Sequence, residues 1–325
     1  MNLLNITLFV VFLTFSSSIS ADEVKKELVK KKIAYIVSDI RIPFWKVMSK
    51  GIKDSANVRG YEISLYSSEN LKKTEIQNTF KAIKNNVDAI ILSPVNSSSA
   101  VTILKFAKSA NIPVVISDIG ADEGEYLSFI SSDNEDGAYK LGQVLTKKMK
   151  ELQWDTDGSV GIISIPQKRA NGKARTAGFM KAMSESNIKV EGLKQQINFS
   201  YKETYDFSKE LISEHKNLRA IWLQGSDRYK ATLKAIKDAA KENKVLLVVF
   251  DAEPEFLELI PKGEILGAAM QQPYVFGEKA LQQLDNFFNH KKVKKHIELS
   301  ILPISQENIK ENTMLIKRNV LGILE

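Results

Sequence analysis

Cysteine is absent from the 325 residues, which excludes disulfide frameworks, thiolate nucleophiles, cysteine metal sites and a lipid-bearing cysteine. Histidine is nearly as scarce. His215, His290 and His296 stand in charged, helix-surface contexts, so each ring is expected to be exposed and no histidine base is expected beside a nucleophile. A GxGxxG fingerprint, a P-loop and a GxSxG elbow are all missing, which argues against nucleotide binding and acyl transfer. No cofactor, no metal and no catalysis are therefore expected. Charge is lacking from residues 1–20, MNLLNITLFVVFLTFSSSIS, where an apolar run gives way to small residues ahead of Ala21. This pattern predicts a cleaved secretory signal peptide and a periplasmic location, although the usual leading Lys or Arg is missing. The run from Ile6 to Phe15 is too short for a membrane span.

What remains is ordinary globular chain. At 43% hydrophobic residues a chain of this length can bury two cores. The 46 basic and 39 acidic residues leave a net charge of +7. The lysines spread along helix faces, with small clusters at Lys30–Lys32 and Lys291–Lys295, and read as solvated surface rather than a nucleic-acid patch.

From Lys32 onward, short Val/Ile/Leu runs alternate with stretches of helical period, the punctuation of βαβ units. Strands are expected at Ile33–Ser38, Tyr61–Tyr66, Ala89–Ser93, Val114–Asp118, Val160–Ser164, Ala220–Gln224, Val245–Asp251 and Leu266–Gln271. Most are apolar on both faces, as buried parallel strands are. Ile76, Phe80 and Ile83, and later Leu233, Ile236 and Ala240, form helical stripes, so these residues, like Met48, are expected in the core. The halves echo each other: DAIILS, helix, PVVISD matches RAIWLQ, helix, LLVVFD, and the separations Ser93–Asp118 and Gln224–Asp251 differ by two residues. One unit used twice predicts an α/β fold of two similar doubly wound parallel-sheet lobes.

Open parallel sheets bind ligands beyond their strand carboxyl ends. The residues there are Ser38 and Asp39, Ser93, Asp118, Gln224, Asp251 and Gln271. Any one of them could be a helix cap or turn residue, but the recurrence points to a shared polar cleft. Asp118 and Asp251 occupy matching positions, where carboxylates can accept hydrogen bonds from hydroxyl groups. After the first strand, Pro43 starts a helix whose adjacent Phe44 and Trp45 cannot both face the core, so one ring should face the cleft and pack on a sugar-like C–H surface.

These motifs taken in order, IAYIVSDIRIPFW, DAIILSPVNSSSA, NIPVVISD, FISSDNEDGAYKLGQ, KARTAGF, AIWLQGSD, LLVVFD and AAMQQP, run from about Lys32 to Pro303. In that order the chain resembles the periplasmic sugar-binding proteins of the ribose and galactose type and, more distantly, the ligand-binding core of lactose-repressor-like regulators. The resemblance implies that Phe44, Trp45 and Phe199 stack on a sugar ring, that Asp118 and Asp251 bind hydroxyls, and that Arg175 and Gln271 contact ligand. Ile42, Ile119 and Gly225 stand where ribose binders carry asparagine, arginine and asparagine, which puts ribose itself in doubt. Asp39, Gln167, Lys168, Arg169 and Lys173 could restore polarity, but solvated positions are expected for them.

The same resemblance implies a hinge of three crossings, near Ser132–Asp133, Gln271–Pro273 and Ser300. One lobe would comprise residues 31–132 with 272–299 and the other 133–271 with 300–325. A small carbohydrate-like ligand would close the lobes of a monomer, and the closed form would engage the permease of an ATP-driven importer. Alternatively it would signal to a sensor histidine kinase or chemoreceptor. Asp118 and Asp251 as an acid–base pair would be the enzyme alternative.

Overall fold

The computed structural model describes residues 30–323; the signal-peptide expectation lies outside them. The chain begins β1 (Lys32–Val37), α1 (Pro43–Arg59), β2 (Glu62–Ser67), α2 (Lys72–Lys84), β3 (Ala89–Ser93), α3 (Ser97–Ser109), β4 (Val114–Ser117) and β5 (Ser128–Ser132). It continues with α4 (Asn134–Glu151), β6 (Ser159–Ser164), α5 (Ala170–Glu185), β7 (Lys189–Gln195), α6 (Tyr201–Glu214), β8 (Leu218–Leu223), α7 (Tyr229–Asp238), β9 (Leu246–Phe250), α8 (Phe256–Leu259) and β10 (Gly267–Met270). Then come α9 (Pro273–Phe288), β11 (His296–Leu299), β12 (Leu302–Ser305) and α10 (Ile309–Leu315), which runs on into a π-helical segment at Ile316–Val320.

The strands form two six-stranded sheets of matching order, β2-β1-β3-β4-β5-β11 and β7-β6-β8-β9-β10-β12, so the lobes repeat one doubly wound plan. The first sheet is parallel throughout, whereas β12 runs antiparallel to β10. That reversal departs from the all-parallel expectation and follows from the short link between β11 and β12, which carries the chain from one sheet to the other.

Alternation along each central strand feeds two cores per lobe. Ile33, Tyr35 and Val37 of β1 face α1 and α9, while Ala34 and Ile36 face α2 and α3. In the other lobe Val160 and Ile162 of β6 join α4 and α5, and Ile163 joins the α6–α7 side. Trp222 stacks on Phe179 with ring centroids 4.0 Å apart. Burial of each such side chain contributes about 1.5–3 kcal/mol. Two glycines let helices meet closely: a Cβ would stand 2.2 Å from the Tyr274 carbonyl oxygen at Gly51, and 1.9 Å from that of Glu135 at Gly178.

Strands β5, β7, β11 and β12 were not expected. They are sheet-edge strands or Ser-rich, and β7 (KVEGLKQ) alternates exposed and half-buried positions, so they lack the continuous apolar run that marks a central strand. On α2 the expected inner stripe is corrected. Phe80 is 50% exposed and packs on Phe106 at 4.7 Å, while Glu75, Asn78, Thr79 and Ala82 are buried. The cause is polar: the Glu75 carboxylate accepts from the Val95 N–H at 2.7 Å and from Ser99 Oγ at 2.8 Å, so the helix turns its acid toward the loop after β3. Ala240, beyond the end of α7, is likewise exposed rather than buried. His296 is exposed as expected but lies on strand β11, not on a helix surface.

Candidate functional site

Strands β4 and β9 end in the same local geometry. Asp118 and Asp251 both adopt φ 70°, and their N–H groups donate to the carbonyls of Ile130 and Ala269 on the adjacent chain segments, at 2.9 and 2.8 Å. Aspartate tolerates this left-handed conformation, so each sheet delivers one carboxyl to the gap between the lobes. A cavity of about 50 Å³ lies there.

Asp118 is buried. Its Oδ2 accepts from Asn171 Nδ2 of the opposite lobe at 3.0 Å, and burial, reinforced by the Asp251 charge and opposed by Arg175, pushes its carboxyl up to about 7. Asp251 keeps 14% side-chain exposure. Its Oδ1 accepts from Gln271 Nε2 at 2.7 Å, and its Oδ2 stands 3.6 Å from Arg175 Nη1. Burial raises this carboxyl too, while Arg175 and Gln271 pull it down.

Arg175 sits on the buried face of α5, donating through Nε to Asn134 Oδ1 at 2.8 Å and through Nη1 to the Gln224 carbonyl at 2.9 Å. Its guanidinium lies 3.8 Å from the Phe250 ring centroid. Gln224 is held by its own contacts, Nε2 donating to Thr176 Oγ1 and Oε1 accepting from the Ile165 N–H.

The rings of Phe44 and Trp45 meet edge to face at 4.8 Å. Both rings border the cavity, although Trp45 is buried in the first lobe's core and Phe44 packs against that core. Phe199 closes the other wall from the second lobe, its carbonyl accepting from Arg228 Nε at 2.6 Å.

Of the eleven candidate residues, Phe44, Trp45, Asp118, Arg175, Phe199, Gln224, Asp251 and Gln271 line this cavity. Ser38, Asp39 and Ser93 do not. Ser38 is fully buried, its carbonyl accepting from the Asn70 N–H. Ser93 faces the core under α1, against the Tyr35 hydroxyl at 3.3 Å and Met48 Sδ at 3.6 Å. Asp39 binds Arg41 at 2.7 and 2.8 Å and accepts from Asn70 Nδ2 at 3.0 Å. Burial works against its charge, but the Arg41 bonds prevail and hold the carboxyl below its usual range.

Reading strand ends alone missed Asn171, Gln196, Ser226 and Asp227, and it placed Arg169 in solvent. Arg169 is in fact buried and lines the cavity. It donates across the lobes, through Nε to the Val95 carbonyl at 3.1 Å and through Nη2 to Asn70 Oδ1 at 3.0 Å, and it lies over Phe199 at 5.4 Å. Burial pulls its guanidinium down to about 10, so it stays charged. Gln167 is half-buried, and Lys168 and Lys173 are exposed. The available signal was position: residues 165–171 follow β6 as the loop at 38–42 follows β1.

Arg169→Ala is expected to loosen the contact between lobes, because two charge-assisted hydrogen bonds are lost, each contributing about 1.5–3 kcal/mol. Small-angle scattering should then report a larger radius of gyration for the ligand-free variant than for the parent. An unchanged value would remove Arg169 from the interlobe contact.

Three acceptors in the cavity wall stand out. Among the described residues, Asp118 Oδ1, Asn171 Oδ1 and Gln271 Oε1 are buried without a protein hydrogen-bond partner. The histidines are elsewhere: none lines the cavity, His215 stands 3.7 Å from Glu191, and His296 contacts Ser131 at 2.7 Å. Among the described residues no cluster of three His, Cys, Asp or Glu is arranged to hold a metal ion.

A family model described as a periplasmic binding protein domain matches residues 33–292. The ribose import binding protein RbsB of Escherichia coli (strain K12) is 26% identical over 299 residues, covering 90% of this chain and 95% of the relative. A carbohydrate transporter solute-binding protein from Agrobacterium radiobacter, solved in complex with D-arabinose, superposes with a TM-score of 0.83 at 19% identity, over 90% of this chain and 99% of that one. A Caulobacter myo-inositol binding protein bound to myo-inositol gives a TM-score of 0.81 at 18% identity, over 91% and 100%. These last two are likenesses of fold.

Proposed function

Because the chain belongs to the periplasmic binding protein family, we propose that it is an exported, monomeric solute receptor that closes around a sugar or sugar-like molecule. Its lobes would be residues 31–132 with 272–299 and residues 133–271 with 300–325, hinged at the three crossings. The observation that carries the ligand class is the trio of unpartnered acceptors, Asp118 Oδ1, Asn171 Oδ1 and Gln271 Oε1. Each buried acceptor left unpaired costs about 1–3 kcal/mol, and hydroxyl donors on a ligand remove that cost in the bound, closed form. Phe44, Trp45 and Phe199 supply apolar faces for the ring carbons between those hydroxyls.

Ligand touching both lobes binds the closed form better than the open one, and that differential affinity drives closure. The partner we propose is the permease of an ATP-driven importer, in keeping with the import role named for the Escherichia coli relative. Ribose itself fits poorly. Ile42 and Gly225 line the cavity without a polar side chain, and Ile119 is turned into the first lobe's core. The positive charge near Asp118 comes instead from Arg175 and Arg169 of the opposite lobe.

A thermal-shift series with D-ribose, D-allose, D-arabinose and myo-inositol tests the reading. A true ligand at a hundredfold excess over its Kd should add about 2.7 kcal/mol of stability, with stoichiometric binding and no turnover. A flat response to all polyhydroxylated compounds, or conversion of any of them, would end the proposal.

A further inference from the structure

A second cavity, of about 180 Å³ against about 50 Å³ for the first, lies on the hinge side of the cleft. The two share Phe44, Asp251 and Gln271 as a common wall. The walls of the larger one are mostly apolar: Pro43 and Val47 from α1, Ala252 and Pro254 from the loop after β9, and Val320 and Leu321 from the last segment. Its common wall is polar. Gln271 is 1% exposed and commits Nε2 to Asp251, leaving Oε1 without a protein donor. Glu253, also in the lining, is held by Ser226 Oγ at 2.8 Å, and Ser226 belongs to the first cavity. An acceptor therefore waits at the boundary between a small polar chamber and a larger apolar one.

Resting on the reading of a sugar-like ligand, we propose that the physiological ligand has two parts: a hydroxylated ring in the polar cleft and an apolar substituent of about six carbons in the hinge-side chamber. A buried apolar cavity of about 150 Å³ accepts a benzene molecule, so the larger chamber, at about 180 Å³, has room for an aryl or short alkyl group. A hydroxyl beside the oxygen that joins the two parts would donate to Gln271 Oε1.

The experiment compares methyl and phenyl glycosides of ribose, allose and arabinose by calorimetry, together with benzyl alcohol alone by thermal shift. Two variants fill the chamber from opposite walls, Val47→Phe and Ala252→Leu; neither residue lines the polar cleft. The phenyl glycoside of the preferred sugar should bind at least tenfold more tightly than the methyl glycoside. Both variants should erase that advantage while leaving the methyl glycoside's Kd unchanged. Benzyl alcohol should give a saturable shift in the parent that is lost in whichever variant folds. Equal affinity for methyl and phenyl glycosides, or an advantage that survives both fillings, would overturn the proposal. If no glycoside binds at all, the sugar reading fails, and the benzyl alcohol result alone decides whether the chamber takes an apolar group.

Discussion

Arg175→Ala should lower the unfolding free energy by about 3 kcal/mol, the cost of stripping one partner from a buried charged pair, even before any ligand is added. The side chain is 4% exposed and ties together Asn134 at the start of α4, the carbonyl of Gln224 after β8, and Asp251 after β9. Alanine leaves the Asn134 and Gln224 acceptors without donors and the Asp251 carboxylate without its cation. For a chain of this size the melting temperature should fall by roughly 4–5 °C. Arg175→Lys should recover part of the loss, since a lysine keeps the charge but not the planar fork or the stacking on Phe250. Ligand affinity should fall in both variants, because Asp251 is no longer held in place. A ligand-free melting temperature equal to that of the parent would show that Arg175 serves the ligand alone.

Asp118→Asn should act in the opposite sense on the ligand-free protein. The folded carboxyl titrates at about 7, up from 3.8, because it is buried, so between those values the folded chain holds a proton that the unfolded chain has released. Stability from this group is therefore complete below about pH 4, is lost as the pH rises through 7, and stays level above. Asparagine is neutral throughout and tolerates the left-handed backbone at this position. The variant should be more stable than the parent at pH 8, on the order of 4 kcal/mol, and comparable to it near pH 4. Glu253, also pushed up to about 7 by burial, keeps some slope in the single variant, and Asp118→Asn combined with Glu253→Gln should be flatter still. Ligand binding should weaken strongly despite the gain in stability, as expected where a site is strained for function. Thermal unfolding from pH 4 to 8, with and without ligand, checks both signs. A parent that gains stability between pH 5 and 8 would contradict the assignment.

The central strands were legible because β1, β3, β4, β6, β8 and β9 are buried on both faces and read as unbroken apolar runs. The edge strand β7 was not, since one side meets solvent and the composition turns polar, and β12, only four residues long and holding Pro303, was too short to stand out. On α2, where Ile76 packs on the core but Phe80 does not, periodicity fails in part: Glu75 is buried for the hydrogen bonds it makes with Val95 and Ser99, 20 and 24 residues away, and no local pattern carries that information. At the cleft, seven of the strand-end and aromatic candidates line one cavity, together with Arg175 of α5. Ser38 and Ser93 share their placement rule but are buried away from the cavity, Ser93 against the Tyr35 hydroxyl and Ser38 with its Oγ unpartnered.

The residue order alone determined that strands and helices alternate, that two similar units follow one another, and that aspartates end the matching strands β4 and β9. Those features are local, set by side-chain polarity and backbone preference over a few positions. Only the tertiary structure decided that Arg169 and Asn171 reach across to the opposite lobe, that Arg175 braces three segments at once, and that an apolar chamber opens behind Gln271. These depend on how distant segments meet, and the free energy of a buried charge or an unpaired acceptor is settled by neighbours that sequence proximity does not name.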